Sequence, residues 1–185
     1  MKRLTIFAVL VLLMVSVSGL RAARDGSLSA EPAAALKAQM EQQKMEAFAA
    51  RDPDEPGRYV AVLYVPGIQF LVISAPYPAP ALIDKKIAAR QYMDVYVDMQ
   101  AVGDRTGHFF VEDMAADGIR PESDSEQVGD TTTANGGKST VFNGKWELQQ
   151  LTQEEYTARL KRDDQRYARM LKVLSAALAR GITVP

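Results

Sequence analysis

The sequence predicts an α+β fold, with a central, mostly antiparallel sheet of about five to six strands flanked by three helices. Residues 58–65 and 68–75 are rich in β-branched and aromatic side chains, which is typical of strands. Apolar residues recur at helical spacing elsewhere, most clearly over 152–180. The 185-residue chain has no cysteine, and this length suffices to bury one core without disulfides. A single domain is therefore expected.

The amino-terminal residues have the composition of a secretory signal peptide. Lys2 and Arg3 precede an apolar run over 4–17, and the small residues Ser18 and Gly19 follow. This order of charged, apolar and small-residue segments is typical of a removable signal, whereas a membrane-spanning helix needs about 20 apolar residues. We therefore expect a signal peptide over residues 1–19, export to the periplasm or the extracellular space, and no membrane contact after cleavage. Cleavage after Ala23 is the alternative, although Arg21 is unfavourable two places before it.

Cleavage leaves an expected flexible lead-in over 20–31, one α+β domain over 32–181 and a tail over 182–185. Without Lys2 and Arg3, 20 basic residues face 23 acidic ones, so the formal charge is about −3. This balance gives no reason to expect nucleic acid as a partner. The absence of cysteine excludes zinc thiolate sites and thiol nucleophiles.

The first half of the domain is expected to hold one helix and two central strands. The helix is predicted over 32–50, because the proline-rich segment 52–57 cannot continue it. The strands over 58–65 and 68–75 are apolar on both sides, which predicts that both faces are covered. The Pro-Gly pair between them suits a bend looser than a two-residue hairpin.

The second half is expected to begin with a shorter helix over 80–92 and strands over 94–102 and 108–114. Residues 115–137 are rich in Asp, Ser, Thr and Gly, which predicts one long acidic loop. Asn143–Gly144 then predicts a hairpin with strands over 139–142 and 145–148.

The final helix has the clearest boundaries in the sequence. Thr152 and Glu155 form a capping box at its start, and Gly181 is the expected stop. At about 28 residues it is longer than a domain of this size requires. Its carboxy-terminal end is expected to project or to pair with a partner.

This element order resembles that of the profilin-like group of folds, which includes roadblock and longin domains. The resemblance implies helices on the flanks of a central antiparallel sheet. It is one of topology, without a shared residue motif, so no activity follows from it.

His108 is the only histidine in the chain, so any histidine-based hydrolase would have to use it. Glu112 and Asp113 are the nearby carboxylates, but four residues of strand separate His108 from Glu112 by about 13 Å. An ordinary histidine at a strand end is the favoured interpretation. A hydrolase that uses His108 is the alternative.

The acidic loop offers hard oxygen ligands of the kind that calcium binds. These are Asp117, Glu122, Asp124, Glu126 and Asp130. Calcium-binding loops place a glycine at the sharp turn, and Gln127 stands there instead. A solvated loop is the favoured interpretation. A cation-sensing or small-molecule-sensing domain that uses this loop is the alternative.

These observations favour an exported, non-enzymatic binding or protein-interaction domain. We predict no catalytic, cofactor-binding or metal-binding residues, and no cofactor. The expected partner is another protein, or a second copy of the chain bound through the carboxy-terminal helix or a sheet face, with buried aromatic residues supplying most of the binding energy.

Overall fold

The structure is a computed structural model that describes residues 27–76, 106–121 and 129–181. Within these ranges the chain forms a six-stranded antiparallel sheet, two α-helices and a short 3₁₀-helix. The predicted α+β class is confirmed. The helix predicted over 80–92 and the strand predicted over 94–102 lie outside the described residues.

The elements follow one another along the chain as α1 (Ala30–Gln43), β1 (Ala47–Arg51), β2 (Arg58–Val65), β3 (Gln69–Pro76), β4 (Phe109–Met114), β5 (Asp130–Ala134), β6 (Thr140–Phe142), the 3₁₀-helix (Trp146–Gln149) and α2 (Gln153–Ala179). Each strand is antiparallel to its neighbour, and the strands lie in the sheet in sequence order. β1 and β6 are therefore the two edges.

One face of the sheet, the helical face, packs against both α-helices. The fully buried residues between this face and the helices include Leu36, Met40, Phe70, Phe109, Tyr167 and Leu171. The opposite face is buried along its central strands as well, at Tyr59, Ala61, Leu63, Leu71, Ile73, Ala75 and Phe110. The predicted central position of β2 and β3 is confirmed, because each has six consecutive buried residues.

The prediction that the first helix continues to residue 50 is wrong. α1 ends at Gln43, where Lys44 turns the chain with a left-handed φ of 53°. The next segment forms β1 and pairs with β2, so that Phe48 and Ala50 are buried. Alanine favours helices, but pairing with β2 and burial on the helical face override this local preference.

The prediction of one long acidic loop over 115–137 is also wrong. β5 lies within this segment and pairs with β4 on one side and β6 on the other. Asp130 and Thr132 are buried, whereas Thr131 and Thr133 are partly exposed. Threonine is β-branched and fits a strand, but the low hydrophobicity of the segment concealed this alternation.

The predicted hairpin at Asn143–Gly144 is wrong as well. The segment expected as its second strand is the 3₁₀-helix, and β6 pairs with β5 instead. The true hairpin turn contains Asn135 and Gly136, whose φ values of 54° and 64° suit a primed turn. The chain thus contains two Asn-Gly pairs, and only the first joins two strands.

The capping box of the final helix is confirmed. The Thr152 hydroxyl accepts a hydrogen bond from the Glu155 N–H (3.2 Å), and the Glu155 carboxylate accepts one from the Thr152 N–H (2.8 Å). The carboxy-terminal end does not project, because Ala177 and Leu178 are buried in the core. No helix in the described ranges has both the length and the apolar character needed to cross a bilayer.

The element order used for the resemblance to profilin-like folds changes at three places. β1 replaces the end of a helix, β5 replaces part of a loop, and the 3₁₀-helix replaces a strand. The observed sheet is a simple meander in the described part of the chain.

Candidate functional site

The structure does not bring Asp113 to His108. Asp113 lies on the helical face of β4, whereas Phe110, two residues after His108, lies on the opposite face. His108 is buried, and its Nδ1 atom has no hydrogen-bond partner among the described residues. Within the described part of the chain no carboxylate is hydrogen-bonded to His108, so these contacts assemble no catalytic pair with Glu112 or Asp113.

Asp113 is instead the centre of a buried polar network. Its carboxylate accepts hydrogen bonds from the Tyr167 hydroxyl of α2 (2.8 Å) and from the N–H groups of Asp117 (3.1 Å) and Gly118 (3.0 Å). One donor comes from α2 and the other two come from the turn after β4. The network therefore joins β4, the turn after it and α2.

Asp130, at the start of β5, holds the other side of this turn. Its two carboxylate oxygens accept hydrogen bonds from the N–H groups of Met114 (2.8 Å) and Arg120 (2.7 Å). Burial is the main cause that raises the pKa of Asp113 to about 6, and burial together with the charge of Asp113 raises the pKa of Asp130 to about 7. The hydrogen bonds that each carboxyl accepts oppose these shifts.

The turn itself is tightly packed against the start of α1. Ala115 and Ala116 both adopt left-handed conformations, with φ values of 68° and 54°, which cost energy for any residue other than glycine. At Gly118, φ is 94° and an added Cβ would lie 2.6 Å from the Ala30 nitrogen. Only glycine fits this position, because both the conformation and the close approach exclude a side chain.

Asp164 of α2 fixes the beginning of the described chain. Its carboxylate accepts hydrogen bonds from the N–H groups of Leu28 (2.6 Å) and Ser29 (3.0 Å) and from the Ser27 hydroxyl (3.1 Å). The Ser29 hydroxyl donates to Asp164 (2.5 Å) and accepts from the Ile119 N–H (2.9 Å). The end of the segment expected as a flexible lead-in is thus part of the fold.

The acidic residues considered as calcium ligands do not converge in the described structure. Asp117 forms an ion pair with Arg120 (3.0 Å), and Asp130 is bonded to backbone N–H groups. Glu122, Asp124 and Glu126 lie outside the described residues. Among the residues that the structure places, no group of three or more His, Cys, Asp or Glu side chains is arranged to hold a metal ion.

The two edges of the sheet differ in how their outward backbone groups are satisfied. At β6 the register leaves Val141 as the outward-facing residue. Its N–H donates to Gln149 Oε1 (2.8 Å) and its carbonyl accepts from Gln149 Nε2 (2.6 Å). The side-chain amide thus occupies the place of a neighbouring strand, which protects this edge from further pairing.

The β1 edge has no such cover in the described structure. The Glu46 carbonyl accepts from the Tyr64 N–H (2.7 Å) and the Asp52 N–H donates to the Arg58 carbonyl (2.9 Å). With this register, Phe48 and Ala50 bond to β2, and Ala47 and Ala49 direct their N–H and carbonyl groups away from it. No hydrogen bond to these outward groups occurs within the described ranges.

Sequence reasoning missed this edge, because Ala47 and Ala49 were assigned to a helix. It also missed Gln149, because the segment beside β6 was assigned to a strand. The signal present in the sequence was the first Asn-Gly pair, at Asn135. This signal does not specify which strand lies at an edge.

Comparisons with protein-family models, with curated protein sequences and with solved structures gave no significant match.

Proposed function

We propose that this chain is an exported, non-enzymatic protein-interaction domain that binds an extended segment of a protein partner as an additional strand beside β1. The observation that carries the proposal is the pair of outward-facing residues Ala47 and Ala49, whose backbone groups lack partners within the described ranges. An extended peptide satisfies such groups with main-chain hydrogen bonds, which is the usual basis of strand addition.

The side chains of the β1 edge are compatible with this binding mode. Ala47 and Ala49 are small and partly exposed, so they do not shield the backbone.

The proposal can be tested by selecting peptides that bind the mature protein and measuring their affinity for Ala49→Pro. Proline removes the outward N–H of residue 49 and blocks strand addition. Ala49→Val is the matched control, because it keeps the N–H and favours a strand. We expect selected peptides to bind the wild type and Ala49→Val but not Ala49→Pro. Equal binding to all three proteins, or no selected peptide, contradicts the proposal.

Export is the second part of the proposal and rests on the signal-like composition of residues 1–19. Amino-terminal sequencing of the protein from an exported fraction is expected to begin at Leu20. Protein that begins at Met1 and remains in the cytosol contradicts this part without affecting the first.

Two finer predictions accompany the proposal. A third helix over 80–92, with Leu82, Ile83 and Ile87 as its apolar side, would suit the buried face opposite the two described helices. Self-association through the carboxy-terminal helix is the other, and light scattering tests it. The apolar side of α2 is already used in the core, so strand addition is the better-supported mode of binding.

A further inference from the structure

Arg166 of α2 is a half-buried cation that has no anionic partner among the described residues. Its guanidinium lies over the Phe109 ring, with 4.2 Å between Cζ and the ring centroid. Within the described residues it forms no hydrogen bond and no ion pair. Charged groups that leave water are normally paired, because desolvation without a partner is costly. The cation–π contact offsets only part of this cost.

The neighbouring arginines are, in contrast, fixed by protein acceptors. Arg58 donates to the Ser74 hydroxyl (2.9 Å) and to the Gly107 carbonyl (2.5 Å), which anchors it at the ends of three strands. It also pairs with Glu55 (3.2 Å). Its guanidinium is therefore held in one position beside the Arg166 site.

Arg169 is held in the same way by the turn between β1 and β2. It forms ion pairs with the buried carboxylate of Asp52 (2.8 Å) and with Glu55 (2.5 Å). Glu55 is thus shared between Arg58 and Arg169. The carboxylates of Asp52 and Glu55 are therefore paired with these two arginines and are not bonded to Arg166.

Asp163, the remaining nearby acidic residue, also has partners within the protein. Asp163 accepts a hydrogen bond from the Thr132 hydroxyl (2.7 Å) and pairs with Arg162 (2.9 Å). Burial lowers the pKa of Arg166, and the positive charges of Arg58 and Arg169 lower it further, whereas Glu55 and Asp163 oppose the shift. The electrostatic environment of the guanidinium is therefore net unfavourable to its charge.

We propose that Arg166 is the centre of an oxyanion-binding site beside Phe109 of β4, and that the ligand group is a carboxylate or a phosphate. The planar guanidinium presents two parallel N–H donors that match two oxygens of such a group. The Phe109 ring fixes the plane of the guanidinium, and the neighbouring Arg58 and Arg169 add long-range attraction for an anion. This site is independent of the β1 edge.

The test is titration of the mature protein with sodium phosphate and with sodium acetate, against sodium chloride at matched ionic strength. Binding is measured by calorimetry and by the rise in melting temperature. The variants are Arg166→Gln, Arg166→Lys and Lys172→Gln, of which the last removes one exposed positive charge from the same helix. Circular dichroism verifies that each variant is folded.

We expect the wild type and Lys172→Gln to bind the anion with the same affinity. Arg166→Gln is expected to raise the apparent Kd by about tenfold or more. Arg166→Lys is expected to bind weakly, because lysine keeps the charge but lacks the two parallel N–H donors of the guanidinium. Binding of phosphate alone identifies a phosphate group, and binding of acetate alone identifies a carboxylate. No specific binding by the wild type, or equal binding by Arg166→Gln, overturns the proposal.

Discussion

The two edges of this sheet differ in whether their outward backbone groups have hydrogen-bond partners. β6 has three residues, and a single glutamine side chain satisfies both outward backbone groups of Val141. β1 has five residues, and Ala47 and Ala49 direct four backbone groups outward without a partner in the described part of the chain. Proteins usually cover or shorten exposed edges to prevent unwanted pairing. The proposed additional strand would bind at the edge whose outward groups lack partners in the described ranges.

The two halves of the sheet also differ in how they are held. Near β4 and β5, buried carboxylates bind backbone N–H groups and the Tyr167 hydroxyl. Near β1, stability comes from burial of Phe48 and Ala50 and from ladder bonds to β2. Changes in pH should therefore act on the first half, and changes in strand pairing on the second.

The largest expected effect distinguishes the inward and outward residues of β1. Ala50→Pro removes a ladder hydrogen bond to β2 within a buried strand, so we expect a loss of about 3 kcal/mol in the free energy of unfolding. Ala49→Pro removes only an outward N–H and is expected to cost less than about 1 kcal/mol. Urea denaturation of both variants measures the difference, and equal losses would show that the register is not the one described.

The next effect concerns pH. The pKa values of Asp113 and Asp130 are raised in the folded state, so the fold binds protons more strongly than the unfolded chain. Stability is therefore greatest at low pH within this window and falls as pH rises from about 4 to about 7; between pH 5 and pH 8 the fall is on the order of 3 kcal/mol. Urea denaturation at pH 5 and pH 8 measures this change.

The matched control for the pH effect is Asp113→Asn, which removes one titrating group and keeps the side-chain size. We expect it to flatten the pH dependence of the free energy of unfolding. Stability that rises between pH 5 and pH 8 in the wild type contradicts the account of this network.

The smallest effect concerns the closed edge. Gln149→Ala removes both hydrogen bonds to Val141, so we expect a loss of about 1 to 2 kcal/mol and faster amide exchange at Val141. Gln150→Ala is the control, because Gln150 is exposed and forms no hydrogen bond with Val141 among the described residues. Similar changes in both variants would indicate that the side-chain amide does not close this edge.

Local sequence signals predicted the elements whose own residues specify them. The apolar runs of β2 and β3 and the capping box at Thr152 and Glu155 are of this kind. β1 was not predictable in this way, because its alanines favour a helix unless β2 lies alongside. β5 was not predictable either, because its threonines carry little hydrophobic signal and their burial depends on both neighbouring strands.

The candidate sites depend still more on tertiary structure. Asp113 meets Tyr167 only because α2 crosses the sheet, and Arg166 meets Phe109 for the same reason. The residues in each pair are separated by more than fifty positions in the sequence, so spacing carries no signal for them. The open edge is likewise a property of strand order, which no single segment encodes.

Residue-resolved amide hydrogen exchange in the free, mature protein tests the central claim most directly. We predict that exchange alternates along β1, with fast exchange at Ala47 and Ala49 and slow exchange at Phe48 and Ala50. Binding of a selected peptide is predicted to slow exchange at Ala47 and Ala49 specifically. Equal protection of all four amides in the unbound monomer would contradict the claim that this edge is open.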